Sequence, residues 1–286
     1  MIDFLNHPET DRIIREAFAE DVGPGDYTSL STIPAGLTSS ARAIIKDTGV
    51  LAGVALAQRI FHTADPALET QILIADGTPV KPGDIALTVT GDPRSILSAE
   101  RLVLNLMQRM SGVATMTRQV VGMLAGTGCR VLDTRKTTPL IRHFEKWAVV
   151  IGGGTNHRFG LYDMIMIKDN HVDYAGGIVP AIRACKAYLK KNNLNLLIEV
   201  ETRNLSEVQE VLSEGGVHRI LLDNMSPAMM KSAVALIGDQ AETEASGGIT
   251  HETVRAAAES GVDFVSMGSL THSVRSLDIS LKAIPG

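Results

Sequence analysis

Basic side chains are concentrated in residues 130–171, the stretch whose residue types are best suited to binding an anion. This window holds seven Lys/Arg and four Asp/Glu, a balance of +3, so the rest of the chain, whose total is −5, carries −8. Arg135 and Lys136 directly follow one apolar run, and Lys168 follows another. Such runs are typical of buried strands, at whose ends α/β barrels keep their chemistry. This placement favours a specific anion site over a solvated basic surface.

Polar or glycine-rich residues follow every apolar run after residue 128. The runs cover residues 129–133, 163–167, 195–200, 218–222, 241–245 and 262–267. The residues at or near their ends are, in order, Thr134, Arg135 and Lys136; Lys168, Asn170 and His171; Glu199 and Glu201; Asp223 and Asn224; Ser246, Gly247 and Gly248; and Gly268 and Ser269. The early ends thus supply cations, and the middle ends supply carboxylates suited to a metal, sugar hydroxyls or a developing positive charge. The last two are Gly/Ser loops, which in barrels often bind phosphate through backbone N–H groups.

Each group taken alone also has a structural explanation. Ser246-Gly247-Gly248 could be an ordinary strand-to-helix turn, and Gly152-Gly153-Gly154 could permit close packing. Glu199 and Glu201 share a strand face, so one of them could pair with a buried lysine. His157-Arg158 could cap a helix. The occurrence of polar groups at all six ends favours a ligand that carries a phosphate, hydroxyls and further acidic groups.

The elements that must position these residues are parallel β-α units. Helical patterns at 138–149, 174–193, 204–214, 226–237 and 250–260 alternate with the six runs. This alternation predicts a closed or nearly closed α/β barrel. Ser226-Pro227 is an N-cap followed by proline, and residues 204–207 have the spacing of a capping box.

The first third of the chain has a different pattern, typical of an α+β module. We expect helices at 8–20, 50–63 and 98–125, strands at 38–45, 71–74 and 85–89, and a solvent-side loop at 21–29. Ser98 is the expected N-cap of the long helix, and Arg101 lies on its polar face.

Length and composition exclude several protein classes. At 286 residues and 44% apolar content, two domains or one large barrel are expected. The net charge of −5 argues against general nucleic-acid binding. No run is apolar enough for a membrane span, and the N-terminus lacks an apolar signal core. Cys129 and Cys185 cannot form a disulfide framework, so a reducing, cytoplasmic setting is predicted.

Seven short motifs, taken together, resemble those of the quinolinate phosphoribosyltransferase family, also called nicotinate-nucleotide pyrophosphorylase (carboxylating). The motifs are DTRKTTP, GGGTNHR, IKDNH, EVE, LLDN, ASGGI and MGSLTHS, in this order. The resemblance runs from about residue 20 to the C-terminus. One departure is Leu140, which stands where the family usually has glycine, shortly before Arg142.

The resemblance implies an architecture and an activity. The expected subunit has an N-terminal α/β sandwich, residues 1–112 rejoined by 272–286, and an incomplete α/β barrel, residues 113–271. A homodimer is implied, which could assemble further. The implied reaction joins quinolinate to 5-phosphoribosyl 1-pyrophosphate and gives nicotinate mononucleotide, pyrophosphate and CO₂, with Mg²⁺, in NAD biosynthesis.

The resemblance also assigns roles to residues. Lys136, Glu201 and Asp223 match the residues nearest the reacting centre, and Glu201 and Asp223 are the implied metal ligands. Contacts to quinolinate are implied for Arg135, His157, Arg158 and Lys168, with Arg101 arriving from the partner subunit. The implied 5-phosphate loops contain Ser246, Gly247, Gly248, Gly268 and Ser269, and Thr134 and His272 are further substrate-binding candidates.

Three other functions fit part of the pattern. A sister phosphoribosyltransferase associated with molybdate-transport operons shares much of the motif set and is the main alternative. A barrel lyase or aldolase could use Lys136 or Lys168 as a Schiff-base nucleophile, but the phosphate-type loops argue against it. A non-catalytic phosphosugar sensor would not need Lys136, Glu201 or Asp223.

Overall fold

The computed structural model describes residues 3–284. The chain folds into two compact units. Unit 1 consists of the residues up to Arg118, Lys136–Gly153 and the residues from Leu270 onward, and unit 2 consists of Gln119–Arg135 and Gly154–Ser269. Residues 1–2 and 285–286 of the predicted N-terminal domain lie outside the described residues.

Unit 1 is built on an antiparallel sheet of four strands in the order β12-β1-β5-β3. These strands are β1 (Ser39–Ile45), β3 (Glu69–Ile72), β5 (Ile85–Gly91) and β12 (Ile279–Ile284), and β2 (Gly49–Val50) pairs with β4 (Pro79–Val80). The helices of unit 1 are α1 (Pro8–Asp21), α2 (Tyr27–Thr32), α3 (Val54–Ala64) and α5 (Arg142–Gly152). The long helix α4 (Pro93–Met123) begins in unit 1 and ends in unit 2.

Unit 2 is built on a parallel sheet of six strands in the order β6-β11-β10-β9-β8-β7. The strands are β6 (Arg130–Leu132), β7 (Ile165–Ile167), β8 (Ile198–Thr202), β9 (Arg219–Asp223), β10 (Glu242–Ser246) and β11 (Phe264–Ser266). The helices are α6 (Asp169–Ala175), α7 (Ile178–Asn192), α8 (Leu205–Glu214), α9 (Pro227–Ile237) and α10 (Val254–Ala258), while α11 (Ser269–His272) starts at the last residue of the unit. This order is that of a barrel opened between its first and second strands, so the predicted fold class is confirmed.

Helix boundaries follow the expected cap chemistry in two places. Ser226 accepts a hydrogen bond from the backbone N–H of Met229 and is the N-cap of α9, as predicted. Asn204 caps α8 by accepting from the backbone N–H of Glu207. The carboxylate of Glu207 then accepts from the backbone N–H of Arg203, so the capping box is shifted by one residue.

Three predicted features of the helices are wrong. The predicted loop at 21–29 contains the start of α2, because Asp26 accepts a hydrogen bond from the backbone N–H of Ser29 and caps a short helix. Helix α4 begins at Pro93, a good first residue for a helix, so Ser98 lies inside it. The single helix predicted at 174–193 is interrupted at Gly176 and Gly177, whose φ angles are +82° and +132°.

The cores of both units are apolar, and α3 shows how sequence pattern leads to burial. Val54, Leu56, Ala57, Ile60 and Phe61 are all buried in it. No helix within residues 3–284 combines the length and the apolar character needed to cross a membrane.

Candidate active site

The loop that carries Asn156, His157 and Arg158 is fixed to the end of β6. Thr155 forms a parallel bridge with Leu132, on the edge of β6 away from β11. The buried carboxylate of Asp133 accepts hydrogen bonds from Asn156 Nδ2 (2.6 Å) and from the backbone N–H of His157 (2.9 Å). Because charge-assisted bonds are stronger than neutral ones, this carboxylate holds the loop beside the first strand. The motif residues Asp133, Asn156 and His157 are thereby brought together.

Arg158 is partly buried next to a second guanidinium. Its Nη1 donates to the carbonyl oxygen of Met164 (3.1 Å). Burial lowers the pKa of Arg158, and the neighbouring charge of Arg135 lowers it further. Arg158 still carries its charge, because a guanidinium pKa starts so high. Two like charges held near each other favour an anion between them, and a guanidinium can grip a carboxylate through two hydrogen bonds.

The His157 side chain lies in the interior of unit 2, where it is 5% exposed. Its Nε2 is 3.1 Å from Glu199 Oε2 and 3.4 Å from Glu244 Oε2. Burial opposes the imidazolium, but the attraction of these two carboxylates outweighs it and raises the pKa of His157 to about 9. The backbone N–H of Arg158 lies 2.6 Å from Nδ1, a contact that favours the neutral ring. A neutral amide bond is weaker than pairing with two buried carboxylates, so the imidazolium prevails.

Lys168, Glu201 and Asp223 lie at the carboxyl ends of three neighbouring strands. Lys168 Nζ is 3.2 Å from Glu201 Oε2. Glu201 on β8 pairs in register with Leu221 on β9, two residues before Asp223. Asp223 accepts a hydrogen bond from Asn224 Nδ2 (2.8 Å). The ends of these strands therefore gather one cation and two carboxylates, as the sequence pattern predicts.

The Gly/Ser loop after β10 requires glycine for a steric reason. Gly247 and Gly248 have φ angles of +86° and +59°, in the left-handed region. A Cβ on Gly247 would lie 2.7 Å from the backbone nitrogen of Asn224. The preceding Ser246 hydroxyl accepts from the Ser266 hydroxyl of β11 (3.0 Å). This turn is thus closely packed between adjacent strand ends, where its backbone can approach a ligand.

The remaining candidates of unit 2 lie at other strand ends. Thr134 is partly buried directly after Asp133, at the end of β6. Gly268 and Ser269 follow β11, and the Ser269 hydroxyl is buried without a hydrogen-bond partner among the described residues.

Lys136, Arg101 and His272 lie in unit 1, and all three are exposed. The backbone carbonyl of Lys136 accepts a hydrogen bond from the Thr271 hydroxyl (2.8 Å). Within residues 3–284, Arg101 makes no hydrogen bond or ion pair with its side chain.

The loop that follows Lys136 is held by a buried carboxylate of α5. Glu145 is fully buried and accepts from Arg109 Nη2 (2.7 Å), from the backbone N–H of Thr138 (2.9 Å) and from the Thr138 hydroxyl (2.8 Å). Arg142 reaches back along the same loop, and its Nε donates to the Thr137 hydroxyl (2.9 Å). Arg142 therefore braces the loop, a role that the sequence left open.

Comparison with known proteins identifies the family. The sequence pattern that defines the C-terminal domain of quinolinate phosphoribosyl transferase matches residues 113–282, and that of its N-terminal domain matches residues 26–111. The chain belongs to the quinolinate phosphoribosyltransferase family. The resemblance that the seven motifs indicated is thus confirmed.

Relatives and solved structures agree with this assignment. The chain is 49% identical, over 97% of its length and 84% of the relative, to the nicotinate-nucleotide pyrophosphorylase (carboxylating), chloroplastic, of Arabidopsis thaliana. It is 46% identical, over 96% of its length and 83% of the relative, to quinolinate phosphoribosyltransferase (decarboxylating) 1b of Nicotiana tabacum. The crystal structure of NadC from Streptococcus pyogenes superposes with a TM-score of 0.91 at 38% identity, covering 97% of this chain and 98% of that one.

Several buried partners of the site were not found by sequence reasoning. Asp133 and Glu244 were not assigned any role, although both contact the candidate residue His157. Nor were Arg219, which pairs with Glu244, and Glu145, which holds the loop after Lys136 through Thr138. A signal existed in β10, where Glu242 and Glu244 alternate with apolar or small residues as Glu199 and Glu201 do in β8. A carboxylate within a buried strand needs a partner, and that need predicts a polar cluster inside the sheet.

Proposed function

We propose that this chain transfers the phosphoribosyl group of 5-phosphoribosyl 1-pyrophosphate to quinolinate with loss of CO₂, giving nicotinate mononucleotide and pyrophosphate in de novo NAD biosynthesis. The observation that carries the proposal is that the charges of Arg135 and Arg158 act on each other in a chain of this family. A planar acid with two adjacent carboxylates suits such a pair, and Lys168 at the next strand end adds a further cation.

The carboxylates suit the transition state of the first step. When the bond between the ribose C1 atom and the pyrophosphate oxygen breaks, positive charge develops on the ribosyl ring. Glu201 and Asp223 stabilise that charge electrostatically, and Lys136 neutralises the departing pyrophosphate. The ring nitrogen of quinolinate then donates its electron pair to C1 and becomes cationic.

Decarboxylation follows from this cationic ring. The bond between the ring and the adjacent carboxylate breaks, CO₂ leaves, and the electron pair remains on the ring carbon, next to the positive nitrogen. A proton from water then completes nicotinate mononucleotide. The arginines orient the acid for this step.

The donor chemistry of Glu201 and Asp223 fits Mg²⁺, which prefers oxygen ligands and is bound through one or two carboxylates plus substrate phosphates. When bound, Mg²⁺ would supply charge neutralisation for pyrophosphate. The Gly/Ser loops at Ser246–Gly248 and Gly268–Ser269 would hold the 5-phosphate through backbone N–H groups, with Thr134 and His272 as further contacts.

A homodimer is part of the proposal. The exposed Arg101, which has no side-chain partner within residues 3–284, would reach the site of the partner subunit and bind quinolinate there. A cytoplasmic location is proposed on the basis of the two unpaired cysteines, although the Arabidopsis thaliana relative is named chloroplastic.

A product assay tests the proposal. The protein is incubated with quinolinate, 5-phosphoribosyl 1-pyrophosphate and Mg²⁺, and nicotinate mononucleotide and CO₂ are measured. We expect the two products in equal amounts. Absence of both would favour the sister phosphoribosyltransferase of molybdate-transport operons, whose name none of the relatives given above carries.

A further inference from the structure

A cluster of ionisable side chains lies inside the sheet of unit 2, below the strand ends. Arg219, at the start of β9, places Nη1 3.1 Å from Glu244 Oε2 and 3.9 Å from Glu199 Oε2. The same two carboxylates flank His157 Nε2. Glu199 and Glu244 are 0% and 1% exposed, so neither can be reached by a ligand from bulk solvent. His157 and Arg219 therefore share the same two buried carboxylates.

The geometry of three of these residues is also that of a metal site. The ligand atoms of His157, Glu199 and Glu244 lie within 4.8 Å of one another. A divalent ion there would meet the Arg219 guanidinium, which is held in place by stacking on Phe264, 4.2 Å from the ring centroid. It would also have to displace the proton of His157. The cluster thus already contains the positive charge that two buried carboxylates need.

The cluster is tied to the substrate loop through His157. The backbone N–H of His157 donates to the Asp133 carboxylate, and its ring lies against the buried carboxylates. The next residue along the chain is Arg158, whose backbone position is thereby fixed. Loss of one carboxylate would leave a net positive charge in the interior and drive the imidazolium out of its place.

We propose that Glu244 and Arg219 are positioning residues for the aromatic acid, acting through His157. With Glu199 they keep the imidazolium inside the sheet, and this sets the direction of the Arg158 guanidinium toward quinolinate. The inference rests on the proposed function. It concerns residues that contact neither quinolinate nor 5-phosphoribosyl 1-pyrophosphate.

The test compares Glu244→Gln with wild type. The substitution keeps the shape of the side chain and removes its charge. We expect the KM for quinolinate to rise about tenfold or more, as for loss of a buried charged partner, while the KM for 5-phosphoribosyl 1-pyrophosphate changes less than about twofold. The double variant Glu244→Gln/Arg219→Gln removes one cation together with one anion and should recover part of the quinolinate affinity. Calorimetric binding of quinolinate provides a second measurement.

Glu242→Gln is the matched control. Glu242 also pairs with Arg219, at 2.8 Å, but it is 49% exposed and has no contact with His157 among the described residues. Its quinolinate KM should stay within about twofold of wild type. If Glu244→Gln lowers only the melting temperature, or raises both KM values equally, the cluster is structural and the inference is overturned. Purified protein carrying one equivalent of a transition metal that Glu244→Gln lacks would also overturn it.

Failure of the proposed function has a different signature. Wild-type protein that neither binds nor turns over quinolinate would overturn the proposed function and this inference together. Wild-type protein that binds quinolinate with the same affinity as Glu244→Gln would overturn the inference alone.

Discussion

Glu199 and Glu201 are separated by a single residue on β8, yet their surroundings give them different roles. Glu199 is fully buried, and its pKa is raised by burial and by the charge of Glu244. Glu201 is 9% exposed and lies nearer the carboxyl end of the strand, where its Oε2 is 3.2 Å from Lys168 Nζ. Glu199 is therefore surrounded by protein groups alone, whereas Glu201 lies at the strand end where the proposed site is.

This difference leads to a kinetic prediction for the outer carboxylates. We expect Glu201→Gln and Asp223→Asn to lower kcat about 100-fold or more, because each removes a charge that acts on the transition state. Quinolinate binding, measured by calorimetry, should change less than about threefold. Glu259 is an exposed carboxylate of the same unit, and the control variant Glu259→Gln should leave kcat and quinolinate binding unchanged. Normal turnover combined with weakened binding would contradict the assigned role.

Sequence reasoning was most successful for residues at strand ends. Lys168, Glu201, Asp223 and Ser246 each lie at the carboxyl end of a strand, as their positions after or at the end of an apolar run predicted. The buried partners of these residues were missed because the register between strands that are distant in sequence decides which side chains meet. Glu199 pairs with Arg219, 20 positions later, only through the alignment of β8 with β9.

At the scale of elements, the loop between β6 and α5 has an unfavourable backbone conformation at Leu140. Its φ is +68°, and its side chain is 73% exposed. A non-glycine residue in the left-handed region costs about 1–2 kcal/mol, and an exposed leucine gains little burial in return. Glycine, which the motif resemblance leads us to expect at this position, would avoid that cost. Arg142 Nε donates to the Thr137 hydroxyl within the same loop.

Replacing Leu140 with glycine should stabilise the protein. Relief of the left-handed strain exceeds the extra flexibility of glycine in the unfolded chain, so we expect a net gain of up to about 1 kcal/mol and a higher melting temperature. Leu37→Gly is the matched control, since Leu37 is also exposed and is not in the left-handed region. That variant should melt at a lower temperature. Equal shifts in both variants would show that Leu140 carries no strain.

Elements were predictable from sequence wherever a cap or an apolar period marked them. The six parallel strands and α8 and α9 lie within a few residues of their predicted positions. Helix α2 was missed because its cap, Asp26, stands in a stretch rich in Gly and Pro that is typical of a turn. Helices α6 and α7 were merged because their apolar pattern continues across the two glycines that separate them.

At the scale of the whole molecule, the proposed dimer predicts that one active site needs residues from both subunits. Arg101→Ala and Lys136→Ala, each nearly inactive alone, are mixed in equal amounts and allowed to exchange subunits. If Arg101 acts across the interface, each mixed dimer regains one intact site. Random pairing makes half of the dimers mixed, so activity should recover to about a quarter of wild type for a symmetric dimer.

Two observations control this experiment. Exchange of subunits is verified with differently tagged chains. Lys136→Ala protein taken alone through the same exchange procedure gives the background activity. Verified exchange without recovered activity would mean that Arg101 serves its own subunit.

The central claim is that the site is built for an aromatic acid with two carboxylates, and a comparison of substrates tests it most directly. We measure kcat/KM for quinolinate and for nicotinate, which lacks the second carboxylate, with 5-phosphoribosyl 1-pyrophosphate and Mg²⁺ held constant. Because paired guanidiniums are left unmatched by a single carboxylate, we predict a preference for quinolinate of at least about 100-fold. Equal kcat/KM values for the two acids would contradict the account.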